Sequence, residues 1–292
     1  MNDYLLAALL GVVEGLTEFL PVSSTAHLRI VEALLGVSLS DAYWKTFSIV
    51  IQLGAVLCLP IYFRRRLLAF ARTFPRGAGD DRRPLNHPLT LTFVAFVTTA
   101  APAFFLTKVI ARHLESLVVM GWALLAGGVV MGAVDLAYER GQRPGGRRDR
   151  PVEEVEQMSV AQAVWIGACQ ILSAVFPGTS RSMATITAGM LAGMSRPAAL
   201  EFSFFLSIPT MAAATVYDLL KSLRPPAGEA SAIGAMPHTA HAWLVLAIGF
   251  VVSFIVAYGV VAWFMAWVRT RGFTPFAIYR IVVGAVVLWW AH

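Results

Sequence analysis

The chain has 292 residues, 58% of them hydrophobic and 14% charged, with a mean hydropathy of +0.68. A soluble domain carries about a quarter charged residues, so the composition excludes a soluble enzyme and indicates a polytopic membrane protein. The net charge of +6 does not indicate a nucleic-acid partner, because the arginines concentrate in two loops, as membrane topology produces.

The first 36 residues hold two apolar pieces, Leu5–Val13 and Ile30–Leu35, each too short to cross about 30 Å of hydrocarbon. Between them lies E-G-L-T-E-F-L-P-V-S-S-T-A-H-L, from Glu14 to Leu28. Proline cannot continue a helical ladder and disfavours helix for the residue before it, so the chain breaks at Leu20-Pro21. Two half-helices joined by such a turn form a re-entrant hairpin, tolerated at membrane depth only where it is buried or lines a wet cavity. The N-terminus does not read as a cleavable signal, since Asp3 replaces a basic leader and Glu14 and Glu18 interrupt the apolar run.

A full span is expected over Ala42–Phe63, followed by an arginine-rich loop over 64–87. Spans follow near Leu89–Ile110 and Leu117–Tyr138, the second with Gly128 and Gly132 placed for close helix contact. The loop Glu139–Gln157 adds five more arginines. Then the pattern restarts. Val160–Met194 is apolar but broken at Phe176-Pro177, and spans near Phe202–Leu220, Ala242–Val268 and Phe276–Trp290 complete the chain. A shift of 156 positions carries Gly11 onto Gly167, Pro21 onto Pro177, Ser23 onto Thr179 and Ser24 onto Ser180. Cys58 and Cys169 sit singly in apolar runs and read as small core residues, not as a disulfide or a zinc site.

The expected fold is therefore an all-α polytopic membrane protein. It forms one integral membrane domain over 1–292, built as an inverted-topology repeat. Residues 1–138 form the first half and 158–292 the second, each a re-entrant helical hairpin plus three transmembrane helices. Arginine bias places the loops 64–87 and 139–157 in the cytoplasm, with both termini and the 221–241 loop outside. In such architectures the site lies near the midplane at the repeat interface, so the two polar breaks should face each other.

An ionisable group in hydrocarbon is a functional-site hypothesis by default. Glu14, Glu18, His27 and Arg29 all fall within sixteen residues. Glu14 and Glu18 are one turn apart on one helix face and could hold a divalent cation or leave one carboxylate as a base. A new helix should start after Pro21, capped by Ser23 or Ser24, with Ser24 and His27 close enough to cooperate. At the second break, P-G-T-S-R-S offers flexible backbone, three hydroxyls and a guanidinium at a helix start: Gly178, Thr179, Ser180, Arg181 and Ser182. Free N–H groups and the helix dipole make this an anion site, and arginine matches phosphate oxygens. Asp135 falls near a span end within reach of the interface, and Glu201 could support the site or pair locally. His87, His113, His238, His241 and His292 fall in loops or at ends and read as solvated. Together these residues suit hydrolysis of a phosphate ester or anhydride whose other end is lipid.

The two stretches E-G-L-T-E-F-L-P-V-S-S-T-A-H-L and F-P-G-T-S-R-S-M-A-T resemble the signature motifs of the undecaprenyl-pyrophosphate phosphatases, the bacitracin-resistance family, and the resemblance extends over the whole chain. It implies dephosphorylation of undecaprenyl pyrophosphate to the monophosphate carrier of bacterial cell-wall synthesis. It further implies an inner-membrane site open to the outer face and activity promoted by a divalent cation, Mg or Ca, at Glu14 and Glu18. By motif, Glu14, Glu18, Ser24 and His27 carry over from the first stretch, and Ser180, Arg181 and Thr185 from the second. Ser23 and Ser182 add hydroxyls to the phosphate cradle. Ser24 is the expected nucleophile, with His27 as general base and Arg181 holding the charge. A phosphorylated His27 and a water activated by Glu18 are the rivals. An alternative function is a polyprenyl-phosphate flippase using the same anion site. A homodimer is compatible with the sequence but not specified by it.

Single cysteines at Arg76 and Arg147 should resist an impermeant thiol reagent in intact cells. Labelling of both from outside would reverse the orientation.

Overall fold

The computed structural model describes residues 2–37, 42–75, 84–106, 116–141, 151–223 and 239–291. Two helix pairs, each broken near a proline, are packed among longer helices. The first pair is α1 (Asp3–Thr17) and α2 (Ser24–Leu34), followed by α3 (Ala42–Tyr62), α4 (Arg64–Thr73), α5 (Pro88–Phe105) and α6 (Leu117–Gly141). The second pair is α7 (Val160–Val175) and α8 (Arg181–Leu191), followed by α9 (Arg196–Leu223), α10 (Ala240–Val268) and α11 (Thr274–Trp290). Among the described residues, five helices are long and apolar enough to cross a membrane: α3, α5, α6, α9 and α10. The sixth expected span, α11, is apolar but only 17 residues long. Ile255, Val282 and Val286 lie exposed on the outer faces of α10 and α11, a pattern that suits hydrocarbon and not water.

Each entry helix crosses a span at backbone contact. A Cβ on Gly11 of α1 would strike the Gly249 carbonyl of α10, and one on Gly167 of α7 would strike the Ala95 carbonyl of α5. Thr99 uses the second crossing to donate to the Gly167 carbonyl at 2.8 Å. The expected Gly128/Gly132 contact face is present: both glycines of α6 face Ala277 of α11. Cys58 and Cys169 are free thiols.

Polar clusters lie at the two ends of α10. Arg64, Arg65 and Arg66 share a cavity with Glu153, Glu154 and Arg269 at one end. At the other end Tyr4 of α1 meets His241 of α10, hydroxyl to Nδ1 at 2.8 Å.

Several expectations need correction. The 64–87 stretch is not all loop, because α4 occupies its start and buries Phe70. Arg66 on that helix bridges Glu156 at 2.6 Å and Glu201 at 3.0 Å, so Glu201 pairs locally and does not serve the site. His87 is not solvated: it is fully buried, accepts from the Leu89 amide and caps α5. His241 bonds Asp3 as well as Tyr4. His113, His238, His292, Arg76 and Arg147 lie outside the described residues.

Asp135 does not reach the interface. It is wholly buried, and its Oδ2 accepts from the Phe273 and Thr274 amides at 2.8 and 2.9 Å and from the Thr274 hydroxyl at 2.8 Å. Its Oδ1 takes Arg196 Nε at 2.8 Å. Helix starts leave amide groups unbonded, and Phe273 at the cap of α11 has no side chain to serve them. Asp135 supplies that cap from α6. Asp135→Ala therefore leaves Arg196 Nε and two amides without their acceptor, with Glu139 still holding Arg196 Nη2, and should cost about 3 kcal/mol. A thermal melt of the detergent-solubilised protein that does not move would contradict this role.

Candidate active site

The two breaks have matching local structure. Ser23 caps α2 with φ 76° and Ser180 caps α8 with φ 69°; each accepts from the amide three residues on, Ala26 or Met183. Positive φ in a residue with a side chain costs about 1–3 kcal/mol and persists only where the surroundings enforce it. The matched caps are 157 positions apart, so the shift of 156 that aligns the prolines slips by one within the turn. Ser24 and Arg181, not Ser24 and Ser180, thus occupy equivalent first positions of their helices.

Both of those side chains converge on Glu18, the C-cap of α1. Ser24 Oγ donates to Glu18 Oε2 at 2.5 Å, and Arg181 Nη2 donates to Oε1 at 3.0 Å. One turn earlier on the same face, Glu14 is 1% exposed and neither of its oxygens has a partner. Arg181 Nη1 is also buried and unpartnered. A native structure rarely leaves such groups without cause. Arg181 Nη1 is thus an open donor position beside a serine hydroxyl, which a phosphate oxygen would complete, whereas the Glu14 oxygens call for a proton or a cation.

A single arginine holds the breaks together. Arg280 of α11 is fully buried. Its Nη1 donates to the Pro21 carbonyl at 3.0 Å, and its Nη2 is within 2.9–3.1 Å of the carbonyls of Thr179, Gly178 and Ala123. Gly127 gives the guanidinium room, since a Cβ there would overlap it. Ser182 adds a second tie by donating to the Leu20 carbonyl at 3.0 Å.

Glu18, Ser24 and Arg181 form the polar end of a cavity of about 540 Å³, with Ser23, Gly178 and Ser180 beside them. Phe96, Ala100 and Ala103 of α5 and Met211, Ala213 and Ala214 of α9 make up an apolar wall. Gln52 and Gln170 also line it, and Gln170 donates to Thr210 at 3.3 Å. A cavity with one ionic end and one hydrocarbon wall fits an amphipathic ligand.

Two expected phosphate ligands are turned elsewhere, and a third, Thr179, is not among the residues lining the cavity. Thr185 donates to the Arg181 carbonyl at 2.9 Å and lies 2.6 Å from Ser203, bracing the first turn of α8 and not facing the cavity. Ser182 is committed to Leu20, and Thr179 contributes its carbonyl to Arg280. His27 is not against Ser24 either. Its Nδ1 is 2.7 Å from the Ser23 carbonyl and its Nε2 is 2.7 Å from the Tyr279 hydroxyl, so neither nitrogen is placed to take the serine proton. Arg29, counted with the site by its position in sequence, pairs with the buried Glu32 at 3.0 Å.

The family model described as bacitracin resistance protein BacA matches residues 7–286. The chain belongs to this family. A BacA-family protein of Koribacter versatilis, named undecaprenyl-diphosphatase, is 65% identical over 292 residues, covering 100% of this chain and 99% of that protein. An undecaprenyl-diphosphatase of Sorangium cellulosum is 43% identical over 97% of this chain and 85% of its own length. Another from Novosphingobium aromaticivorans is 40% identical over 99% and 98%.

Sequence reasoning missed Arg280, Gln52 and Gln170. The signal was present in each case, a strongly polar residue inside an apolar run, but none stands beside a proline break. Arg280→Lys keeps the charge yet cannot span carbonyls of both turns from one ammonium. Its turnover should fall by about a hundredfold, the scale of an ångström-level misplacement. Normal turnover in a phosphate-release assay would show that the breaks hold without the fork.

Proposed function

We propose that this protein is an undecaprenyl-diphosphatase that hydrolyses the lipid pyrophosphate to the monophosphate and inorganic phosphate. The observation that carries the chemistry is the Ser24–Glu18–Arg181 cluster, at 2.5 and 3.0 Å, with an unpartnered guanidinium nitrogen at the ionic end of a cavity with an apolar wall. The relatives' names favour hydrolysis, and nothing in them supports the flippase alternative.

The pyrophosphate enters the polar end while the polyprenyl chain lies along the apolar wall between α5 and α9. Arg181 Nη1 binds an oxygen of the distal phosphate, and Nη2 stays on Glu18. Ser24 Oγ attacks the distal phosphorus, and its proton passes along the 2.5 Å hydrogen bond to Glu18 Oε2. The bond from that phosphorus to the bridging oxygen breaks, and Glu18 gives the proton to the departing lipid phosphate. Water then attacks the serine phosphate, losing a proton to Glu18. Phosphate leaves and the serine oxygen is reprotonated. In this sequence the carboxylate takes the role expected of His27, because the carboxylate is what touches the nucleophile.

The residues also fit a divalent cation. Glu14 offers two buried oxygens without partners, one turn from Glu18, and hard cations take oxygen ligands. Among the described residues no group of three or more His, Cys, Asp or Glu gathers as a metal site, so substrate oxygens and water would complete the shell. A cation there would neutralise negative charge on the transferring phosphate.

Architecture and orientation support the same reading. The matched caps, the matched glycine crossings, and three following spans in the first half against two spans and a shorter apolar helix in the second favour an inverted repeat with its site at the interface of the halves. The arginine-bearing end would face the cytoplasm, placing both termini and the active-site mouth outside.

The test is acid quenching of the purified protein during turnover of polyprenyl pyrophosphate labelled at the distal phosphorus. Labelled phosphate should be released, and an acid-stable serine phosphate should appear in the wild type and be absent from Ser24→Ala. Release without that adduct, with Ser24→Ala active, would reassign the attack to water. No release at all would overturn the function.

A further inference from the structure

We propose that Tyr279 is a positioning residue for the phosphatase reaction, acting through His27 to hold the turn that aims Ser24. The proposal deepens the reading of Ser24 as nucleophile and rests on it. The chain of contacts is short. The Tyr279 hydroxyl lies 2.7 Å from His27 Nε2, and His27 Nδ1 lies 2.7 Å from the carbonyl oxygen of Ser23. A carbonyl only accepts, so Nδ1 bears the proton and the neutral ring presents Nε2 as an acceptor. The phenol donates to it. The two rings stack with centroids 5.6 Å apart and planes 11° from parallel, which fixes the imidazole orientation as well as its tautomer.

What this pair restrains is the strained residue of the first break. Ser23 holds φ 76°, and its carbonyl also accepts the His27 amide at 3.2 Å. Rotation of that peptide would swing Ser24, the next residue, away from its 2.5 Å contact with Glu18. Consecutive residues of α11 thus secure both ends of the break: Arg280 takes the Pro21 carbonyl directly, and Tyr279 takes the Ser23 carbonyl by way of the imidazole.

Packing does not account for the phenol. Tyr279 is 45% exposed on the outer surface of α11, where phenylalanine would fill the same space, and His27 Nε2 is its hydroxyl's one hydrogen-bond partner among the described residues. Neither residue lines the substrate cavity, so the pair acts on the geometry of the nucleophile and not on the substrate.

The test uses full-length protein in detergent with Tyr279→Phe, which keeps the ring and removes the donor. The kcat for polyprenyl pyrophosphate should fall by about ten- to a hundredfold, with KM within about twofold because the cavity is untouched. Nitrogen-15 spectra of selectively labelled histidine should show His27 as the Nδ1–H tautomer in the wild type and as a mixture in the variant. Gel filtration and a thermal melt confirm that the variant is folded. An unchanged kcat overturns the proposal, as does a fall in kcat with the tautomer unchanged or a loss confined to KM. The tautomer measurement reads the Tyr279–His27 link whatever attacks the phosphate, so its outcome is independent of the serine-adduct experiment. Wild-type activity in His27→Ala would overturn the role of His27 itself.

Discussion

Everything near the site depends on satisfying carbonyl groups where the chain stops being helical inside a low-dielectric layer. Each break leaves several carbonyl oxygens without amide partners, and an unpaired buried polar group costs about 1–3 kcal/mol. Arg280 answers three of them at once, Pro21 in the first break and Gly178 and Thr179 in the second, with Ala123 of α6 as a fourth. Lysine could not do this, because its three donors radiate from one atom, whereas the guanidinium fork presents planar donors to opposite sides. The cation is itself stabilised by carbonyl dipoles instead of by a carboxylate. That leaves Glu18 to Ser24 and Arg181, and Glu14 without a partner.

With the turns pinned, the strain at Ser23 and Ser180 becomes useful. A cap residue at positive φ turns the first residue of the following helix back toward the hairpin it came from. Ser24 and Arg181 therefore reach the same carboxylate from opposite halves of the molecule, 2.5 and 3.0 Å from its two oxygens. Thr185, bonded to the Arg181 carbonyl and to Ser203, keeps the first turn of α8 from fraying. Glu18 thus joins the two halves: it fixes the spacing between the Ser24 hydroxyl and the guanidinium, and it is the carboxylate in contact with that hydroxyl.

Much of this was legible in the sequence where cost is concentrated locally. Glu14, Glu18 and Arg181 stand beside prolines in apolar runs, so their burial had to have a reason. The spans followed from length and hydropathy, and the cap at Ser23 from its place after Pro21. What was not legible depends on contacts across the fold. Arg280 lies in an apolar helix far from either motif, and only the meeting of the two turns shows what it binds. Asp135 looked like a span-end residue because nothing local reveals that α11 lacks a cap of its own. His27 sits three residues from Ser24, a spacing that suggests a pair, yet the imidazole turns to Ser23 and Tyr279 instead. Helical spacing says which residues are neighbours, not which way a ring rotates.

Charge accounting explains why the site is built with open valences instead of closed ones. Glu14 and Glu18 bring two carboxyl groups to the cluster and Arg181 and Arg280 two guanidinium groups, so acidic and basic groups are matched in number. A pyrophosphate brings further negative charge into the same space. Arg181 can meet part of it with Nη1, the nitrogen left unpartnered, without releasing Glu18. A cation arriving with the substrate would meet the remainder, and Glu14 has both of its buried oxygens unclaimed. A permanently bound counter-ion would stabilise the resting state as much as the reacting one and gain nothing in rate. Oxygens left free until the lipid pyrophosphate enters would confine that electrostatic stabilisation to the loaded site, next to the Ser24 hydroxyl.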